Sequence, residues 1–190
     1  MVARPAGGDR RRGQGRSSGR GLSDRDIARR LRGFEPELLY TDLVRADPKV
    51  EQALGATYVS KDELLRRADI VILILPYSSQ THHYIGKAEL EAMQPSAVLI
   101  NIARGSIVDD TALAQALKAR RIWAAGLDVY ENEPKVNPAL FELDNVVLSP
   151  HIASATEPTR QAMAMLAATN CVAAFTTGDP PNLLNPEVKR

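Results

Sequence analysis

The sequence predicts an α/β fold built on a doubly wound parallel sheet, and three observations carry that expectation. Apolar runs of strand length recur at residues 69–75, 97–102 and 122–129; stretches of helical spacing separate them; and the intervening loops are short. A run that is apolar at successive positions has no solvated face, which suits a strand covered by helices on both sides. With 190 residues, 44% of them hydrophobic and 25% charged, the chain can bury one full core.

The elements follow in order. Residues 1–22 are rich in Gly, Arg and Ser, with Arg4, Arg10, Arg11, Arg12, Arg16 and Arg20 opposed only by Asp9, and lack an apolar period. Such a segment cannot offset its chain entropy by burial and is expected to be disordered. Ile27, Ala28 and Leu31 then mark one helical face, and Leu38, Leu39 and Tyr40 form a short strand that ends at Asp42. Ser60 caps a helix through Arg67, with Glu63 at the capping-box position. The run 69–75, expected to be buried on both faces, stops at Pro76. A helix near 87–93, a strand at 97–102, a helix near 111–119 and strands at 122–129 and 146–148 follow. A long helix over 157–176 ends at Gly178-Asp179-Pro180-Pro181. The expected organisation is a disordered basic segment (1–22), an α/β domain incomplete at its start (23–176) and a C-terminal tail (177–190).

Several classes are set aside by composition. A formal charge of +1 gives no overall electrostatic case for nucleic acid. No apolar stretch reaches the roughly 18 residues of a membrane span, and the N-terminus lacks the apolar core of a secretory signal, so a cytoplasmic address without a membrane partner is expected. The single cysteine, Cys171, excludes an intrachain disulfide; its Ala, Leu and Val neighbours suggest a buried, inert thiol. Trp123, inside an apolar run, is expected in the core. His82 and His83 are adjacent, so their side chains should point apart, and no Cys or carboxylate pair accompanies them; no metal site is expected.

Parallel sheets place ligands at the carboxyl ends of their strands, so the chemistry should lie just after Leu75, Ile102, Val129 and Leu148. Unusual clusters stand there: Asn101-Ile102-Ala103-Arg104-Gly105, Asp128 followed by Glu131-Asn132-Glu133-Pro134, and Pro150-His151-Ile152-Ala153-Ser154-Ala155-Thr156. One Arg, one Glu and one His therefore converge. A guanidinium can clamp a carboxylate through two hydrogen bonds, an imidazole can pass a proton near neutrality, and a carboxylate behind the imidazole can hold its tautomer. Reduction of a 2-oxo acid needs such a set.

From about Asp26 to Val188 the sequence resembles the D-isomer-specific 2-hydroxyacid dehydrogenases. The motif Asn-x-(Ala/Ser)-Arg-Gly-x-x-Val-Asp falls on residues 101–109, and a Glu before Pro falls 29 positions after the Arg. The resemblance implies that Arg104 binds and polarises the substrate, that His151 is the general acid, and that Glu133 orients His151 and raises its pKa. Asp128 matches the family's carboxamide contact. The form Pro-His-Ile-x-Ser-Ala-Thr, with Glu157 and Thr159 following, looks most like glyoxylate/hydroxypyruvate reductases and 2-ketogluconate reductases. It implies NAD as cofactor, a small 2-oxo acid as substrate and a homodimer in the intact protein.

Gly19-Arg20-Gly21-Leu22-Ser23-Asp24 matches two glycines of the dinucleotide-binding turn, while Asp24 occupies the third. Asp42, 18 residues beyond Asp24, sits near the offset of a ribose-binding acid and favours NAD over NADP. The expected cofactor-binding set is thus Gly19, Gly21 and Asp42, then Leu75, Pro76 and Thr81. Ile102, Ala103, Arg104, Asp128, His151 and Ser154 complete it. No apolar strand is expected before the glycines, and the family's N-terminal substrate-binding portion has no counterpart; a frameshift upstream of Asp26 is the explanation this suggests. Two other readings fit the same residues: another 2-hydroxyacid dehydrogenase, such as a phosphoglycerate or formate dehydrogenase, or an inactive, nucleotide-sensing corepressor-like scaffold.

Overall fold

The computed structural model describes residues 2–3 and 22–188 of the chain. Its main sheet has five strands in the order β1 (Val2–Ala3), β4 (Ile70–Leu73), β5 (Val98–Asn101), β6 (Ala124–Leu127) and β7 (Val146–Leu148), all parallel. A smaller parallel pair is formed by β2 (Leu38–Tyr40) and β3 (Ala56–Tyr58), with β2 beside β1. Helices α1 (Leu22–Leu31), α2 (Pro48–Leu54), α3 (Lys61–Arg67), α4 (Lys87–Ala92), α5 (Asp110–Lys118), α6 (Pro138–Phe141) and α7 (Glu157–Thr176) alternate with the strands. The parallel α/β class expected from the sequence is what the chain adopts.

Local chemistry explains the boundaries. Ser60 Oγ accepts the Glu63 N–H and starts α3, and Asp109 Oδ1 accepts the N–H groups of Thr111 and Ala112 and starts α5. Three elements, α2, β3 and α6, were not expected. The Asp47 carboxylate caps α2 ahead of Pro48, and Asn137 does the same for α6 ahead of Pro138. Another departure is β1: Val2 pairs with Ile72 and Ala3 with Leu73, where no opening strand was expected. Two residues are too few to show an apolar period, and strand pairing is made by backbone. Gly19 and Gly21 lie outside the described residues.

Two compact units divide the chain, Met1–Pro150 and His151–Arg190. The core of the first is built by Leu64 and Leu65 of α3, Leu73, Leu99, Leu113, Leu117, Ile122 and Leu140, all buried. Each such side chain contributes roughly 1.5–3 kcal/mol relative to exposure. Val71, Ile72 and Leu73 are buried as expected for a two-sided strand, but Ile70 at its start is exposed. Trp123 is also exposed, at 64%, contrary to expectation. It precedes β6, and its backbone rather than its indole joins the sheet, through Ala97 O and the Asn145 side chain. In the second unit α7 has no buried residue, and the C-terminal stretch folds back so that Asn182 N–H donates to Asn170 Oδ1. Cys171, expected to be buried, is exposed on α7. Its apolar neighbours encode helix, and neighbours along a helix do not cover one another's outer faces.

Candidate active site

Register brings the strand ends abreast. Leu73 stands opposite Asn101, Asn101 opposite Leu127, and Leu127 opposite Leu148, so the residues that leave β4, β5, β6 and β7 emerge along one edge. Asn101 fastens the second of these exits. Its buried side chain donates from Nδ2 to Arg104 O at 3.0 Å and accepts the Ala103 N–H at Oδ1, which curls residues 101–104 into a fixed turn. Ala103 is buried beneath it, Ile102 is half-buried, and the Arg104 side chain is exposed, with Nη1 donating to Ala103 O.

Gly105 then packs directly on the next exit. A Cβ there would lie 1.7 Å from Tyr130 O, so only glycine lets the Arg104 turn meet the Tyr130–Glu131 backbone. Ser106 Oγ donates to Glu131 O at 3.3 Å. Within the turn after β6, the Tyr130 N–H donates to Glu133 Oε1 at 2.9 Å, and Asp110 Oδ2 accepts the Glu131 N–H at 3.0 Å. Burial pushes the Asp110 carboxyl above its ordinary value, against the lowering effect of that N–H. The structure therefore brings the Arg104 turn and the Glu133 turn together. Both side chains are exposed on them.

Asp128 is buried at the end of β6. It accepts the Ser149 hydroxyl at 2.5 Å, and Tyr130 Oη donates to Ser149 O at 2.8 Å. Burial pushes the Tyr130 phenol up. Asn101 stood in the sequence as the first residue of the Arg104 motif, while Tyr130 and Ser149 were not singled out, and only their order after strands could have signalled them. On the β4 side, Leu75 is buried and Pro76 exposed. Thr81 is buried, its Oγ1 donating to Pro76 O and accepting the Ser78 N–H, so its hydroxyl is spent closing its own loop. Asp42 follows β2 and lines a shallow cleft, open to solvent, with Ala28, Leu39, Tyr40, Val50 and Glu51. Its Oδ1 accepts the Val44 N–H at 3.4 Å.

His82 and His83 do not point apart. Their rings stack, with centroids 4.0 Å apart, and His83 Nε2 lies 2.7 Å from Glu131 Oε1. The expectation assumed extended backbone; His83 instead has φ of 47°, which turns its side chain to the same side as its neighbour's. In the second unit His151 and Ser154 are both exposed, and His151 also has positive φ, 53°.

Residues 18–153 match the family described as D-isomer specific 2-hydroxyacid dehydrogenase, NAD binding domain. The chain belongs to this family. It is 49% identical over 163 residues to a glyoxylate reductase from Thermococcus onnurineus, an alignment covering 85% of this chain and 48% of that protein. It is 46% identical to glyoxylate/hydroxypyruvate reductase B from Klebsiella pneumoniae, over 83% of this chain and 49% of the relative. Among solved structures, an NADPH-dependent glyoxylate/hydroxypyruvate reductase from Sinorhizobium meliloti, in complex with NADP and malonate, superimposes with a TM-score of 0.79 at 36% identity. That match covers 100% of this chain and 55% of the other. The chain spans about half the length of the curated relatives it matches. Among the described residues, no helix is long and apolar enough to cross a membrane.

Proposed function

We propose that this chain supplies the NAD-binding and catalytic part of a D-2-hydroxyacid dehydrogenase that reduces glyoxylate or hydroxypyruvate, with the functional domain spanning 23–176 and residues 177–190 belonging to the substrate domain. The observation that carries the proposal is the docking of the Arg104 turn on the Glu133 turn through Gly105, which holds a cation and a carboxylate at adjoining strand exits. The names of the relatives support the substrate class.

The residues fit the cofactor on two counts. The buried Asp128, fixed by Ser149, is a polar group at the sheet edge suited to a carboxamide, and Asp42 in the lining of a shallow cleft suits a ribose. A carboxylate there would repel a 2′-phosphate, so NAD is assigned here although the Sinorhizobium relative is NADPH-dependent. Gly19 and Gly21 would bind the pyrophosphate; Leu75, Pro76, Thr81, Ile102, Ala103 and Ser154 would line the nucleotide. When bound, the reduced cofactor supplies hydride to the carbonyl carbon. In this reading Arg104 holds the substrate carboxylate and carbonyl, His151 gives a proton to the carbonyl oxygen, and Glu133 orients His151. We assign a cytoplasmic homodimer, with a small 2-oxo acid rather than nucleic acid as its partner.

Isothermal titration of the chain with NAD and with NADP tests the cofactor assignment: NAD should bind more tightly, and preference for NADP would count against Asp42. The acid–base assignment is tested in a chimera that joins residues 22–190 to the N-terminal portion of the Thermococcus onnurineus reductase. There, His151→Gln should lower turnover of glyoxylate by about 10²- to 10⁴-fold. Glu133→Gln should also lower turnover; turnover equal to the parent's would remove Glu133 from the mechanism.

A further inference from the structure

The chain has three histidines, and the dehydrogenase reading uses only His151. The other two lie against a carboxylate from a segment 48 residues further on. Their rings stack at 4.0 Å and 19°, and one ligand atom from each of His82, His83 and Glu131 lies within 4.8 Å of the others. Extended backbone would send neighbouring side chains to opposite faces. The left-handed φ at His83, disfavoured for a residue with a Cβ, is what sets two imidazoles side by side. The surroundings add negative charge and orientation. Asp109 Oδ2 is 3.9 Å from His83 Nδ1, Asp110 accepts the Glu131 N–H, and Tyr77 Oη stands 3.3 Å from His82 Nδ1.

We propose that His82, His83 and Glu131 form a binding site for one divalent transition-metal ion of the zinc, nickel or copper class. Two imidazole nitrogens and one carboxylate oxygen suit these ions, whereas magnesium and calcium favour all-oxygen sets. Bonds of about 2.0–2.2 Å at tetrahedral angles put the ligand atoms of one ion about 3.4 Å apart, so the widest separation in the group must contract by up to roughly 1.4 Å. His82, whose side chain is exposed, can rotate towards the pair, and His83 Nε2 and Glu131 Oε1, 2.7 Å apart, must open slightly to admit the ion. The ion takes the place of the proton at His83 Nε2: a neutral ring keeps its single N–H at Nδ1, beside Asp109, and a protonated ring releases its second proton to solvent. Affinity therefore falls as pH falls, because an imidazole must be neutral to ligate. Three protein ligands leave a coordination position for water or an anion. Metal would also tie the loop after β4 to the turn after β6, beside Ser106, whose carbonyl accepts the His83 N–H at 2.7 Å.

The test is a calorimetric titration of the full chain with zinc chloride in chelator-free buffer, paired with electron paramagnetic resonance of the copper-loaded chain. We expect one ion per chain, with Kd on the order of micromolar, and hyperfine coupling to two nitrogens. His82→Ala and Glu131→Gln should each weaken binding by about tenfold or more, His82→Ala also reducing the nitrogens to one. Cys171→Ser and His151→Gln should leave binding as it was. Circular dichroism checks the fold of each variant, and His82→Ala decides alone if Glu131→Gln unfolds, since His82 is exposed. Absence of binding at millimolar zinc, binding retained in His82→Ala, or binding lost with Cys171 or His151 overturns the proposal.

Discussion

The unit up to Pro150 and the unit from His151 onward are both rich in apolar residues, yet among the described residues only the first contains fully buried side chains. In the first, Leu99, Leu113, Leu117 and Ile122 are fully buried. In the second, α7 exposes Met163, Met165, Leu166, Val172 and Phe175. The difference lies in what makes each element form. Strands β4–β7 exist because parallel partners complete their hydrogen bonds. Helix α7 satisfies its own backbone, and Ala162, Ala164, Ala167, Ala168, Ala173 and Ala174 give it high intrinsic propensity without burial. One unit is specified by tertiary contact, the other by local preference.

The largest test of that contrast is truncation. Leu99→Ala or Leu113→Ala should each cost about 2–5 kcal/mol in urea denaturation. Leu166→Ala and Phe175→Ala should change stability by no more than about 0.5 kcal/mol. A loss of several kcal/mol from either helix variant would mean that α7 is covered in solution, and the contrast would break. Gly105→Ala probes the first unit where its loops meet. Because the new Cβ would meet backbone rather than a flexible side chain, a cost of about 1–3 kcal/mol is expected. A variant as stable as the parent would show that the Arg104 turn can lift off the Tyr130 backbone.

The same contrast explains what could be read in the sequence. Helix α7 was legible to its last residue because its signals are local: Pro158 at its start and Gly178 after its end. Strands β5–β7 were legible as short apolar runs, although β7 leaves Val147 exposed. Elements of three to seven residues such as β3, α2 and α6 were missed, being too short for a period, though Asp47-Pro48 and Gly55 did mark the ends of α2. The site was legible as residue types at strand exits. The contacts that fix it were not, since Gly105 on Tyr130 and Ser149 on Asp128 join segments 21 or more residues apart. Exposure was the least legible property: Trp123 and Cys171 each sit among apolar neighbours and face outward.

Cys171 sharpens the comparison at low cost. A thiol-specific reagent should label it in the native chain, under conditions without denaturant, at the rate of an unprotected cysteine. Labelling that requires denaturant would place α7 under cover and would restore the buried thiol that its neighbours suggested.

The smallest expected effect concerns Glu51 on α2, in the first unit. Arg45 donates to it from Nε and Nη2 at 2.8 and 2.9 Å, and Tyr40 Oη donates at 2.6 Å. These bonds, Arg45's first, lower the Glu51 carboxyl to about 2 from 4.5. A carboxyl whose pKa is depressed by folding stabilises the fold above its unfolded value and loses that contribution as pH falls towards its folded value. The window is therefore between about pH 4.5 and pH 2. Because the Arg45 side chain is 64% exposed, water and salt screen the pair and the effect should be modest. Urea midpoints of the parent and of Glu51→Gln should differ most near pH 5 and converge towards pH 2. The tyrosine offers a local readout, since the Ala46 N–H donates to Tyr40 Oη at 2.9 Å and its exchange should quicken as Glu51 is protonated. A gap between parent and variant that stays constant across the window would show that Arg45 and Tyr40 do not hold Glu51 in solution, and that this edge of the first unit is ordered as loosely as the surface of α7.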